Sequence, residues 1–221
     1  MGLKRRLIAS LLLRDGRLVK GRAFKDHRDA GNPITTVRSL CAQGIDEVMV
    51  LDIGETRPNF DWLEQIAAVC TAPLTWGGGI ASDEMAVEML GRGADKIFIP
   101  SHQTDLCSAL CLKMGDQAVV TGIDFTERLE WPEKHGGELR VVSVESEGKR
   151  AGMDLDMIRA FALRYDVPII AEGGAGTPEH VVAAFEAGAS AVGLGAMLIF
   201  GDNNILKIKR YMKQRGIEVR L

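Results

Sequence analysis

Short apolar runs alternate with amphipathic runs along the whole chain. Eight of the apolar runs read as strands, at residues 7–12, 47–52, 74–76, 96–99, 118–124, 139–145, 169–171 and 191–194. They are rich in aliphatic and β-branched residues and lack a two-residue alternation, which is the pattern of strands buried on both faces. Helical patterns fall at 34–43, 61–69, 84–91, 104–114, 155–164, 179–186 and 204–214. In the first of them Ile34, Val37, Leu40 and Cys41 recur every three or four positions, as one buried helix stripe requires. Gly44, Gly93 and Gly188 stand where helices should stop. Strand–helix alternation of this kind predicts a parallel sheet, open or closed.

An internal repeat decides for closure. Ala72-Pro73-Leu74-Thr75-Trp76-Gly77-Gly78-Gly79 lies over Val167-Pro168-Ile169-Ile170-Ala171-Glu172-Gly173-Gly174 at an offset of 95, and Gly93-Ala94-Asp95 lies over Gly188-Ala189-Ser190 at the same offset. Two similar halves and eight strands predict a (β/α)8 TIM barrel spanning 1–221 as a single domain. The halves differ in one place. Leu12 and Asp124, which end strands one and five, are 112 apart, whereas Asp52 and Glu145, which end strands two and six, are 93 apart. The second half is thus 19 residues short, and only residues 125–138 connect strands five and six. Pro132, Gly136 and Gly137 interrupt that link, so its helix is expected to be missing and the outer faces of both strands left exposed.

Composition narrows the function classes. Apolar residues make up 46% and charged residues 26% of the 221, which excludes disorder. The net charge of -3 gives no sign of a nucleic-acid surface. No apolar run is long enough to cross a membrane. The first one is broken at once by Arg14-Asp15-Gly16-Arg17, so it reads as a strand and not a signal peptide. Cys41, Cys70, Cys107 and Cys111 form no CxxC pair, and no histidine stands at ligand spacing beside them. No metal or cofactor is expected, and the cysteines read as core thiols of a reducing cytoplasm. Trp76, just before the glycines, reads as core.

Glycine pairs directly after a strand let the backbone approach a ligand, and a following helix turns its free N–H groups toward an anion. Gly78-Gly79 and Gly173-Gly174 both have this form. After strand eight, Gly195-Ala196 leads into a short apolar turn, and the sister position after strand four is Pro100-Ser101. Two phosphate cups across one barrel mouth follow, one from strands three and four, the other from strands seven and eight.

The segments Lys4-Arg5-Arg6-Leu7-Ile8-Ala9-Ser10, Asp15-Gly16-Arg17-Leu18-Val19-Lys20-Gly21 and Arg28-Asp29-Ala30-Gly31-Asn32-Pro33 carry a resemblance. With Leu51-Asp52-Ile53, Gly77-Gly78-Gly79-Ile80, Ile123-Asp124 and Gly173-Gly174-Ala175-Gly176, the chain resembles the cyclase subunit of imidazole glycerol phosphate synthase over nearly its whole length. The resemblance implies a half-barrel-symmetric (β/α)8 fold, a bisphosphate ribonucleotide substrate, and a lyase/cyclase reaction in histidine biosynthesis. It also implies a glutaminase subunit docked at the barrel base, sending ammonia through the barrel past a charged gate. Arg6, Glu47, Lys96 and Glu138 match that gate, and Lys20 matches a phosphate-reaching residue on a mobile loop, 17–32.

The family's general acid and base are aspartates ending strands one and five. Asp124 matches the second; Leu12 stands at the first and carries no proton. Asp15, a turn residue in its plainest reading, and Glu147 are the other candidate catalytic acids; Asp52 and Glu145 stand at strand ends around the mouth, Asp52 as a substrate-binding candidate. Leu12 opens two further readings: a paralogue conducting ammonia to a sugar-amidating enzyme, and a non-catalytic barrel that binds a phosphate ligand.

Overall fold

A computed structural model describes residues 4–54, 58–126, 131–201 and 203–220. Its strands, numbered along the chain, are β1 (Arg6–Arg14), β2 (Arg17–Arg22), β3 (Lys25–Gly31), β4 (Glu47–Asp52), β5 (Leu74–Gly77), β6 (Lys96–Pro100), β7 (Val119–Phe125), β8 (Glu138–Ser143), β9 (Ile169–Glu172) and β10 (Ala191–Leu194). Eight of these, β1 and β4 through β10, pair in parallel in chain order, and β10 returns to β1 to close the barrel. Helices α1 (Pro33–Ala42), α2 (Phe60–Ala67), α3 (Asp83–Gly91), α4 (Thr104–Met114), α5 (Leu155–Arg164), α6 (Pro178–Glu186), α7 (Ala196–Ile199) and α8 (Ile205–Gln214) follow the strands.

Each barrel strand has two buried faces, which is why its sequence does not alternate. On β1, Leu7, Ala9, Leu11 and Leu13 pack toward the helices with Val48, Val50, Trp76 and Ile97. Ile8 and Leu12 pack inside the barrel with Met49, Leu51, Val120, Ile170 and Ala191. Trp76 therefore belongs to the outer core, fully buried. Six helices start at a side chain that accepts a backbone N–H: Asn32, Asn59, Ser82, Asp154, Thr177 and Asn204. Each such cap satisfies a donor that the helix itself leaves free.

The half-barrel repeat reaches single hydrogen bonds. Asp95 N donates to Leu74 O at 2.7 Å, and Ser190 N to Ile169 O at 2.8 Å, the same contact 95 residues on. Gly93 and Gly188 both have φ of +112°, and a Cβ at either would strike Ala67 or Ala162, again 95 apart.

Two expectations change. The segment after β1 is not a loose loop: β2 and β3 form an antiparallel ribbon extending β1, turning at Asp15-Gly16, both with positive φ. The link between β7 and β8 contains no helix at its described residues, 126 and 131–137, while 127–130 lie outside the described residues. Yet it does not leave the strands bare. Ile123, Leu139 and Val141 are fully buried. Trp131 packs on Phe161 with ring centroids 4.5 Å apart, Tyr165 Oη donates to Pro132 O at 2.9 Å, and Gly136 N donates to Thr121 Oγ1 at 2.8 Å. An extended segment carrying one large aromatic covers the surface a helix would have covered.

Candidate functional site at the two ends of the barrel

The strand starts place Arg6, Glu47, Lys96 and Glu138 in one closed ring at the barrel base. Arg6 pairs with Glu47 and with Glu138, the latter at 2.8 Å. Lys96 Nζ lies 3.2 Å from a carboxylate oxygen of each glutamate. Cations and anions alternate, so the ring is neutral and internally satisfied. Above it the interior is aliphatic, formed by Ile8, Met49, Val120, Ile170 and Ala191.

Higher in the barrel two charges appear that the sequence reading did not single out. Arg140 Nε on β8 donates to Glu172 Oε2 on β9 at 2.7 Å, and both are almost wholly buried. Burial pushes the Glu172 carboxyl up, but the Arg140 guanidinium and Lys20 outweigh it and hold it below the usual range. The signal was available: each is a lone charge inside an apolar run, and Glu172 stands where the repeat has Gly77.

The mouth holds a central cavity of about 350 Å³, lined by Leu12, Arg14, Phe24, His27, Phe98, Asp124 and Arg140 among others. Asp124 opens into it from β7, and Leu12 from β1. Partial desolvation, helped by Glu172, pushes Asp124 above the ordinary aspartate value, although Arg140 and His102 pull the other way. Across the cavity Leu12 is buried.

On one side of this cavity, a space of about 380 Å³ is lined by Asp52, Gly78, Gly79, Pro100 and Gln103. A Cβ at Gly78 would lie 2.0 Å from Asp52 O, so only glycine lets β5 turn here. Asp52 Oδ1 accepts from Gly54 N at 3.1 Å, which makes it a loop cap within the cup. Ser101 does not line this space, and its N–H already donates to Gly122 O at 2.8 Å.

On the other side, Gly173, Gly174, Gly195 and Ala196 line a cleft of only about 20 Å³, room for one water and too small for phosphate. Gly174 O accepts from Gly152 N at 3.0 Å, so the loop after β8 fills the cup the sequence suggested. Beside it a cavity of about 370 Å³ is lined by Lys20, Arg22, Arg28, Arg150 and Ala196, with Asp26 the one acid among the described residues. This basic cavity is the better anion site of the two.

The remaining candidate acids are placed differently from expectation. Asp15 sits at the exposed β1–β2 turn and lines none of the cavities around the mouth. Glu145 lies beyond the end of β8, its side chain 88% exposed, facing Lys149. Glu147 is buried and pairs with Lys20, and it accepts from Phe24 N at 3.4 Å. It clamps the β2–β3 ribbon to the barrel. Lys20 is likewise buried, on the ribbon, against Gly195.

Comparison with known proteins agrees with this architecture. The chain matches the family described as Histidine biosynthesis protein over residues 6–139 and 128–204. It is 36% identical to the imidazole glycerol phosphate synthase subunit HisF of Thermococcus gammatolerans, covering 99% of each chain. It is 33% identical to HisF of Pyrococcus furiosus, again over 99% of each, and 35% identical to HisF of Streptococcus mutans, over 99% of this chain and all of the other. The first alignment runs over 249 positions against the 221 residues of this chain, so that relative carries segments this chain lacks. With a family match over most of its length and full-length relatives at 33–36% identity, this closed parallel barrel belongs to the histidine-biosynthesis family, among the HisF subunits of imidazole glycerol phosphate synthase.

Proposed function

We propose that this barrel takes up ammonia at its base from a docked glutaminase subunit in the cytoplasm, and binds a bisphosphate ribonucleotide across its mouth. The observation that carries the reading is the ring Arg6–Glu47–Lys96–Glu138 beneath an aliphatic interior. The aliphatic layer between the ring and the Arg140–Glu172 pair disfavours ammonium strongly and neutral ammonia only weakly. A ring of mutually satisfied charges closes such a passage without charging it. At the mouth, the basic cavity of Lys20, Arg22, Arg28 and Arg150 holds one phosphate, and the glycine cup at Gly78-Gly79 holds the other. Asp124, raised above its ordinary value, is the proton-transfer group between them.

Leu12 specifically supports a second reading. Without a carboxylate on β1, the two-carboxylate cyclase reaction lacks a partner, and a paralogue passing ammonia to another acceptor, such as a sugar, would keep ring and cups while losing that acid. Ammonium-dependent turnover of the bisphosphate ribonucleotide by the purified chain, with binding measured separately, separates the two. Slow formation of imidazole glycerol phosphate supports the first reading. Tight binding without turnover that Leu12→Asp does not restore supports the second, and absence of binding removes the first.

A further inference from the structure

His27 is a titratable side chain of the central cavity that the reading above leaves without a role. It comes from β3 and lines the same cavity as Leu12 and Asp124. Arg14, two residues beyond Leu12 on β1, fixes its ring: Arg14 Nη2 lies 3.2 Å from His27 Nδ1. A guanidinium has donors only, so the imidazole must accept at Nδ1, and its one hydrogen is then on Nε2. Burial holds the imidazolium below its ordinary value, and Arg14 of β1 and Lys20 of β2 add to this. Glu147 of the loop after β8 and the neighbouring Asp26 act in the opposite sense without reversing it. His27 is thus a neutral ring with a fixed tautomer.

Its carrier is tied to the barrel. Ala23, Phe24 and Asp26 have φ of +47°, +58° and +51°, which side-chain-bearing residues adopt only when the surroundings impose it. The surroundings here are Glu147, whose carbonyl accepts from Ala23 N at 3.2 Å and whose carboxylate takes Lys20 and Phe24 N. In the eight-strand circuit β7 is the fifth strand counted from β1, so it stands diametrically across the barrel. His27 is tied to the β1 wall through Arg14, facing Asp124 on β7.

We propose that His27 contacts the ligand: its Nε2–H, held over the central cavity from the β1 wall, donates to an uncharged oxygen, carbonyl or hydroxyl, in the middle of the phosphate-bearing ligand, opposite Asp124. This rests on the bisphosphate reading of the mouth. A neutral donor suits the task, because it polarises an oxygen without drawing a phosphate away from its cup. With its proton already on Nε2, His27 works as a donor and not as a base. It supplies polarity on the wall where Leu12 supplies none.

The test uses the full chain with ¹⁵N-labelled histidine, with His135, on the link before β8 and away from the mouth, serving as internal reference. The His27 resonances should report the Nε2–H tautomer. Inorganic phosphate, which fills the cups without crossing the cavity, should move them only slightly, through Lys20 and Asp26 of the basic cavity, whereas the bisphosphate ribonucleotide should shift the Nε2–H signal strongly. His27→Ala should weaken bisphosphate ribonucleotide binding about tenfold, the worth of one lost hydrogen bond, with phosphate affinity unchanged. His27→Gln, which can offer an N–H at the same reach, should recover most of that loss. An Nδ1–H tautomer, an equal response to phosphate alone, or unchanged binding by His27→Ala overturns the proposal while leaving the bisphosphate reading intact. If neither phosphate nor the bisphosphate binds, the bisphosphate reading falls first and the role of His27 with it.

Discussion

Arg140 and Glu172 form an ion pair inside the barrel, Nε to Oε2 at 2.7 Å, both almost wholly out of solvent and joined by neighbouring strands β8 and β9. Desolvating two charges costs more than their attraction alone returns, so such a pair is a poor source of stability. Removing one member is worse, because the other is left buried without its closest counter-charge. Arg140→Met should therefore lower unfolding stability by about 3–5 kcal/mol, and Arg140→Leu combined with Glu172→Ser should recover most of it. Urea unfolding of the two variants checks this. Equal stability of the single and double variants would show that the pair is not coupled.

The same pair sets an acid limit. The folded-state value of Glu172 lies below the ordinary 4.5, so its contribution is present above that pH and lost as pH falls through the depressed value. Asp124 has the opposite sign: raised in the fold, it favours the folded state at low pH and loses that contribution as pH rises through its raised value. Thermal unfolding against pH should show the advantage of wild type over Glu172→Gln shrinking below about pH 4.5. Asp124→Asn should instead gain on wild type as pH rises toward neutral.

Most of the barrel was legible because apolar period and caps are local signals. The helices at 104–114 and 155–164 and the strands at 47–52 and 191–194 match the structure to the residue. What escaped depended on contacts between distant segments. The β2–β3 ribbon has little apolar content beyond Leu18 and Val19, and β3 reads Lys-Asp-His-Arg-Asp-Ala-Gly, so periodicity gave no strand. Its Asp-Gly turn was the available sign. At the site, the four ring residues were legible from strand starts, and the structure closes them into one ring. Lys20 and Glu147 were legible as charges but not as partners, since 127 residues separate them. The cover over β7 and β8 was missed because a single tryptophan has no period.

That cover gives a further prediction. Trp131 packs on Phe161, and Arg164 lies 4.9 Å from its ring centroid. Amide exchange in β7 and β8 should be as slow as in β4 to β6 in wild type. Trp131→Ala, at a half-buried site, should cost about 2 kcal/mol and speed exchange in β7 and β8 first. Fast exchange there in wild type would mean that the link does not seal the strands.

The two phosphate sites should differ in strength. Lys20, Arg22, Arg28 and Arg150 surround the basic cavity, whereas the Gly78-Gly79 cup contains Asp52 and, among the described residues, no cation. In crystals soaked in phosphate, density should build first beside Arg150 and Ala196, and only at higher concentration beside Gly79. Arg150→Ala should abolish the first and spare the second. Density at neither place would remove the basis for a bisphosphate ligand.

Leu12 decides how much chemistry survives. It lines the cavity on β1, opposite Asp124 on β7, and neither of the other candidate acids stands in for it: Asp15 is turned out and Glu147 is bound to Lys20. A positioned acid or base contributes roughly 10²–10⁴-fold in rate, so its absence alone accounts for a slow enzyme with intact binding. Leu12→Asp should raise ammonium-dependent turnover of the bisphosphate ribonucleotide by about 10²-fold. Binding should change little, because both phosphate cavities lie on other residues. The new carboxylate faces Asp124 across the cavity, and repulsion between them raises the value of at least one, which favours proton transfer near neutral pH. Replacing a buried leucine costs about 1.5–3 kcal/mol of burial, so unfolding is measured alongside. If wild type already turns over at the rate of Leu12→Asp, the β1 carboxylate is dispensable here and another group carries the proton. If both bind and neither turns over, the missing acid is not what silences the cyclase reaction, and an ammonia acceptor other than the bisphosphate ribonucleotide becomes the reading to pursue.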